Sequence, residues 1–163
     1  MTLKPRTGNA LGALACAALM TYALYVQHYQ GYEPCPLCIF QRVAVTTLGI
    51  VFALAALQGP GAVGRRVYAV LMLVAAGAGI GVAARHLWLQ SLPPDKVPSC
   101  GPGLDFLLDT FPLRDVLATV LSGSGECAQV NWVLLGVSMP GWVLGALVVL
   151  GGFGLWNNLR GAG

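Results

Sequence analysis

The chain has 163 residues, of which 56 % are hydrophobic and only 9 % are charged, against about 25 % charged in a soluble domain. So short a chain has too little interior to hide that much apolar surface from water, which leaves lipid as its solvent. The formal charge is +3 and the basic residues are scattered, which excludes the basic stripe or patch of a nucleic-acid-binding protein.

A helix needs about 20 apolar residues to cross a bilayer. In chain order, the first candidate span covers roughly 10–27. Lys4 and Arg6 precede it as they would a signal peptide. The run is longer than a usual signal core and no clear small-x-small cleavage site follows, so it reads as a retained helix. Further spans cover roughly 39–57, 67–89 and 140–156. The expected fold is an all-α membrane domain, a bundle of four transmembrane helices filling the whole chain. Gly77, Gly79 and Gly81 in the third span, and Gly145, Gly151 and Gly152 in the fourth, are expected contact points, because small residues let lipid-embedded helices approach closely.

Charge sets the orientation. Lys4 and Arg6 lie before the first span, Arg65 and Arg66 between the second and third, and Arg160 after the fourth; no acid occurs in these segments. Glu33, Asp95, Asp105, Asp109, Asp115 and Glu126 all lie in the other two loops. Positive charge marks the cytoplasmic side. Both termini are therefore expected inside, and the loops at about 28–38 and 90–139 outside.

Of five cysteines, Cys16 falls in mid-span and reads as a small packing residue. Cys35, Cys38, Cys100 and Cys127 all fall in the outer loops, where an even number of cysteines implies two disulfides. Cys35 and Cys38 form a C-x-x-C. Closing so short a loop removes little chain entropy, which makes the bond a poor staple; the same spacing serves where a disulfide must form and break. A structural zinc site needs four ligands. Cys100 and Cys127 are far apart and the only histidines are His28 and His86, so no metal is expected. Pro36 suits the first helical position, which puts Cys38 in the first turn, where the helix dipole favours a thiolate. Arg42 follows at i+4, with a guanidinium able to lean back toward the sulfur.

The second pair sits in a long loop. Pro98, Gly101, Pro102 and Gly103 surround Cys100, and Ser122-Gly123-Ser124-Gly125 precedes Cys127. Both cysteines are expected on flexible, exposed backbone within reach of an incoming protein thiol. Between them, Leu107, Leu108, Phe111, Leu113, Val116, Leu117, Val120 and Leu121 recur at near-helical spacing around Pro112. This predicts one or two short helices, lying in the membrane interface or packed over the outer ends of the spans.

Two dithiol pairs on one face suggest a relay by thiol–disulfide exchange. The sequence holds no haem, iron–sulfur or dinucleotide motif, so an acceptor dissolved in the bilayer, a quinone, fits best. His86, beside Arg85 near the outer end of the third span, lies at the depth of Cys38 and is a candidate quinone ligand.

The run Cys35-Pro36-Leu37-Cys38-Ile39-Phe40-Gln41-Arg42 resembles the C-x-x-C-[IV]-x-x-R segment of the disulfide bond formation protein B (DsbB) family. Gly125-Glu126-Cys127-Ala128, with Trp132, Leu135-Gly136 and Met139-Pro140-x-Trp142, is similar to that family's second-loop cysteine and fourth-span start. The resemblance covers essentially the whole chain. It implies a bacterial inner-membrane oxidoreductase with its active loops in the periplasm, reoxidising a thioredoxin-fold dithiol oxidase (DsbA) and delivering electrons to ubiquinone or menaquinone. Cys100 would be attacked by the partner, with Cys127 paired to it. Cys35 would exchange with that pair, and Cys38 would face the quinone, with Arg42 and His86 beside it. A monomer is the expected state. Two other readings stay open: a four-helix enzyme like the quinone and vitamin K epoxide reductases, whose C-x-x-C lies late in the chain, and a non-enzymatic membrane protein with inert loop disulfides.

Overall fold

The computed structural model describes residues 4–98, 104–130 and 132–160. Four helices are long and apolar enough to span a membrane: α1 (Pro5–Gln30), α2 (Pro36–Gln58), α3 (Ala62–Gln90) and, after a long connection, α7 (Met139–Leu159). The four expected spans are all present. Each runs a few residues beyond its apolar stretch, because polar ends such as Gln27–Gln30 continue the same hydrogen-bonded helix into the interface. Pro5, Pro36 and Pro140 stand within the first two positions of their helices, where a missing N–H costs nothing. Gly31 and Gly59 end α1 and α2 at φ 70° and 54°, the left-handed conformation that stops a helix at low cost only with glycine.

The helices close into a ring: α1 packs on α2, α2 on α3, α3 on α7, and α7 returns to α1. Phe52, Leu48, Met72 and Leu147 fill the centre, and Cys16 packs among this cluster as expected of a small apolar residue. Leu14, Val74 and Val149 point outward and stay exposed, as lipid-facing side chains do.

Small residues set the helix spacing, at partly different positions from those the sequence suggested. A Cβ on Gly79 would lie 2.7 Å from Leu147 Cδ1, and one on Gly151 would lie 2.6 Å from the Ala76 Cβ. Gly12 and Gly154 meet the Phe52 ring in the same way. Gly77, Gly81, Gly145 and Gly152 face open space. Their spacing puts them on the lipid side, which a run of glycines alone does not reveal.

The ring closes at the terminal end through a polar knot. Asn9, Asn157 and Asn158 are all buried. Asn157 and Asn158 both donate to Asn9 Oδ1, at 3.0 and 2.9 Å, and Asn9 donates back to Asn158 Oδ1 at 3.1 Å. Asn157 also reaches the Pro5 carbonyl at 2.9 Å. Interhelical amide bonds of this kind hold membrane helices together where no hydrophobic force does.

Ala76 is a methyl fixed to its backbone and cannot yield. Gly151→Ala should therefore push α3 and α7 apart at a cost of about 1–3 kcal/mol, whereas Gly145→Ala should be neutral. Thermal unfolding of the two variants in detergent checks this; equal midpoints would mean that the α3–α7 contact is looser than it stands here.

Candidate active site

The connection between α3 and α7 carries α4 (Leu104–Thr110), α5 (Leu113–Ser122) and α6 (Gly125–Ala128), then a hairpin of β1 (Val133–Leu134) and β2 (Val137–Ser138). The break between α4 and α5 falls at Pro112, as its lack of an N–H requires. Two turns of α5 bury Val116 and Val120, which join Leu107 of α4 against Leu37 of α2 and Leu89 of α3. Leu113, Leu117 and Leu121 stay exposed on the other side. The segment thus packs over the ends of the spans that carry Cys35 and His86 while keeping a second apolar face exposed. Arg85 fastens its end, donating to the carbonyls of Leu121 at 3.0 Å and Ser122 at 2.8 Å and lying 4.1 Å over the Trp88 ring. Gly123 then turns the chain at φ 87°, where a Cβ would strike Leu89 Cδ1 at 2.4 Å. The turn delivers Cys127.

Cys127 is therefore not on exposed, flexible backbone as its Ser-Gly flank suggested. It is 1 % exposed and packs with Cys35 and Leu37. Its sulfur lies 3.7 Å from Ser124 Oγ, and the Cys35 thiol and the Leu37 backbone amide are near enough to act on its charge. The contact with Cys35 first, and burial second, raise its thiol above the ordinary value of 9.0. Cys100 lies outside the described residues.

Cys35 is the N-cap of α2, and Pro36 opens the helix, so Cys38 stands in the first turn as expected. The two sulfurs are 3.4 Å apart. His86 of α3, 3 % exposed, faces both: Nε2 lies 3.8 Å from Cys35 Sγ and Nδ1 lies 4.0 Å from Cys38 Sγ. The fold thus brings Cys35, Cys38 and His86 within 4.8 Å of one another, with Cys127 in the buried cluster beside them.

Arg42 also engages the neighbouring helix, which the sequence reading did not anticipate. Its guanidinium reaches across to α1, donating to Gln27 Oε1 and, at 3.2 Å, to the Ala23 carbonyl. These two acceptors fix the cation in the α1–α2 seam, near enough for its charge to act on Cys38. Gln41 is a site residue that the sequence reading missed. It is buried, and its amide nitrogen lies 3.1 Å from His86 Nδ1. An amide N–H only donates, so Nδ1 accepts and the proton of a neutral ring sits on Nε2, facing Cys35. The signal was available: a polar residue inside an apolar span needs an internal partner.

A buried thiol held above its usual range reacts slowly, since the thiolate is the nucleophile. In the fully reduced protein, Cys127 should alkylate at least about tenfold more slowly than Cys38 at neutral pH. Its rate should keep climbing past pH 9.0, where an ordinary thiol levels off. Maleimide labelling read by peptide mass spectrometry checks both; a Cys127 rate that levels near 9 would mean that this sulfur swings freely into water.

Comparison with known proteins identifies the family. The family model described as "Disulfide bond formation protein DsbB" matches residues 5–157. Relatives named "Disulfide bond formation protein B" include one from Nitrosococcus oceani, 50 % identical over 163 residues that make up 100 % of this chain and 96 % of that protein. Another, from Xanthomonas campestris pv. campestris, is 53 % identical over 152 residues, 93 % of this chain and 87 % of the relative. A third, from Chromohalobacter salexigens, is 54 % identical over 146 residues, 89 % and 85 % of the two chains. With its four spans and clustered cysteines, the chain belongs to the DsbB family of membrane disulfide bond formation proteins.

Proposed function

We propose that this oxidoreductase reoxidises a periplasmic thioredoxin-fold dithiol oxidase of the DsbA kind and passes the electron pair to a membrane quinone, ubiquinone or menaquinone, so that disulfides are made de novo. The observation that carries the reading is that Cys35 lies 3.4 Å from Cys38 and packs in one cluster with Cys127, because exchange needs one sulfur to reach another.

The steps balance as follows. A thiolate of the reduced partner attacks Cys100 in a Cys100–Cys127 disulfide and releases Cys127. The partner's second thiol then displaces Cys100, which leaves the partner oxidised and Cys100 and Cys127 reduced. Cys127 attacks Cys35 in the Cys35–Cys38 disulfide and releases Cys38 as thiolate. Cys100 next attacks Cys127, re-forming their bond and freeing Cys35. Two electrons and two protons now reside on Cys35 and Cys38. The direction of the middle step suits its leaving end, because Cys38 departs from a helix start whose dipole favours the anion.

A quinone supplies a sink for two electrons and two protons. The residues that fit it are Cys38, half-buried at the edge of the bilayer, His86 and Arg42. Gln27 and Ala23 occupy two of the five N–H donors of Arg42, so its charge has a fixed position. His86 carries a proton next to Cys35 and, through the ambivalent amide of Gln41, tolerates its gain or loss at either ring nitrogen. The cation-rich end of the bundle, with Lys4, Arg6, Arg65, Arg66 and Arg160, supports a cytoplasmic placement of the termini. The cysteines then face the periplasm of a bacterial inner membrane.

Purified protein given a reduced thioredoxin-fold donor should reduce quinone, read by the loss of quinone absorbance. Cys100→Ser should abolish donor oxidation while small dithiols still reduce Cys35–Cys38. Arg42→Met should raise the apparent KM for quinone about 10-fold, the worth of one charge-assisted hydrogen bond, and leave the KM for the donor unchanged. If Cys35 and Cys38 stay oxidised when quinone is withheld and reduced donor is supplied, the relay is wrong.

A further inference from the structure

In sequence, the cysteines and histidines are too dispersed to suggest a metal site. Folding removes that objection. The ligand atoms of Cys35, Cys38 and His86 all lie within 4.8 Å of one another, and Cys127, outside that group, belongs to the buried cluster that Cys35 packs against. Cys127 therefore borders the same small volume.

We propose that, when reduced, Cys35, Cys38, Cys127 and His86 form a tetrahedral site for Zn2+ or a similarly soft divalent ion, and that the site exists only in the reduced state.

Zinc bound by thiolate at about 2.3 Å and imidazole at about 2.0–2.1 Å places ligand atoms about 3.6–3.8 Å apart along the tetrahedral edges. The structure has Cys35 Sγ to Cys38 Sγ at 3.4 Å and Cys35 Sγ to His86 Nε2 at 3.8 Å, so these three need little rearrangement, and Cys127 completes the set by moving in from the edge of the cluster. Three thiolates and one imidazole are a structural zinc set. His86 would bind through Nε2, which leaves Nδ1 as an N–H. A half-turn of the Gln41 amide presents its oxygen there, giving the outer hydrogen bond that zinc-bound histidines require. Ser124 Oγ, 3.7 Å from Cys127, offers a second outer partner. Cys35 and Cys38 are partly exposed, which gives the ion a way in.

Binding releases the three thiol protons and changes no oxidation state. A disulfide at Cys35 removes at least two of the sulfur ligands, so oxidised protein has no site. Metal capture and disulfide formation therefore compete for the same sulfurs. If the relay proposed above operates, excess Zn2+ would arrest it after reduction and before the electrons leave.

The test uses the full chain in detergent, reduced and free of oxygen, with Cys100→Ser removing the thiol outside the cluster. It contains neither quinone nor partner, so its result is independent of whether the relay turns over. Cd2+ should bind one per chain and give a near-ultraviolet thiolate charge-transfer band. The 113Cd resonance should report three sulfurs and one nitrogen in the protein with all four ligands intact. Cys127→Ser should lower the band to that of two thiolates. His86→Ala should weaken Zn2+ binding in competition with a chelator by at least the ~10–100-fold that loss of even an outer partner costs. Oxidised protein should show no band. A two-sulfur 113Cd resonance, a band unchanged in Cys127→Ser, or equal binding by oxidised protein would each overturn the proposal. The resonance decides the matter even if a variant fails to fold.

Discussion

A sulfur passes a disulfide only to a sulfur that touches it, and the arrangement of this protein follows from how that contact is made. Cys127 belongs to a segment that crosses no membrane. It reaches Cys35 because Val116, Val120 and Leu107 bury themselves against Leu37 and Leu89. Each such side chain contributes about 1.5–3 kcal/mol when fully buried, and Arg85 adds hydrogen bonds to the two final carbonyls of α5. A few side chains thus hold the second loop in register with the first. The docking surface is one end of α2 and α3, and the same two helices supply Cys35, Cys38 and His86.

The start of α2 concentrates much of this chemistry. Pro36 fixes where the helix begins, which makes Cys35 its cap and Cys38 a member of its first turn. The Leu37 side chain anchors the docked loop while its backbone amide, one of the unpaired donors of a helix start, reaches Cys127. Three sulfurs therefore share one helix terminus but in different electrostatic settings. Cys38 sits within the first turn, and Cys127 is buried against a second thiol that holds its proton on.

Much of this was legible in the sequence, where the signal was periodic or local. Runs of apolar residues longer than a bilayer is thick gave the four spans, and Pro36 alone gave the start of α2 and the place of Cys38. What depends on which side of a helix faces a neighbour was not legible. Gly79 and Gly151 touch other helices while Gly77 and Gly152 do not, since in lipid both faces of a span are apolar. The Ser-Gly run before Cys127 suggested looseness, but Gly123 is there because the chain passes close to Leu89. Arg42 turned to α1 because Gln27 and Ala23 offer acceptors that its own helix lacks. Gln41, Asn9, Asn157 and Asn158 went unnoticed because an uncharged polar residue hardly alters the hydropathy of a span, although each must find a partner inside it.

The asparagine knot bears on why the cysteines are free to react. It joins α1 to α7 at the end of the bundle away from the sulfurs, and close glycine contacts along α3 and α7 hold the middle. A C-x-x-C bond closes too short a loop to restrain the unfolded chain, so the ring of spans does not depend on it. The groups that hold the spans together thereby lie at the end of the four helices opposite the cysteine cluster. A bond between Cys35 and either neighbour can break and re-form as a local event, since the groups that keep the helices together are not the groups that change.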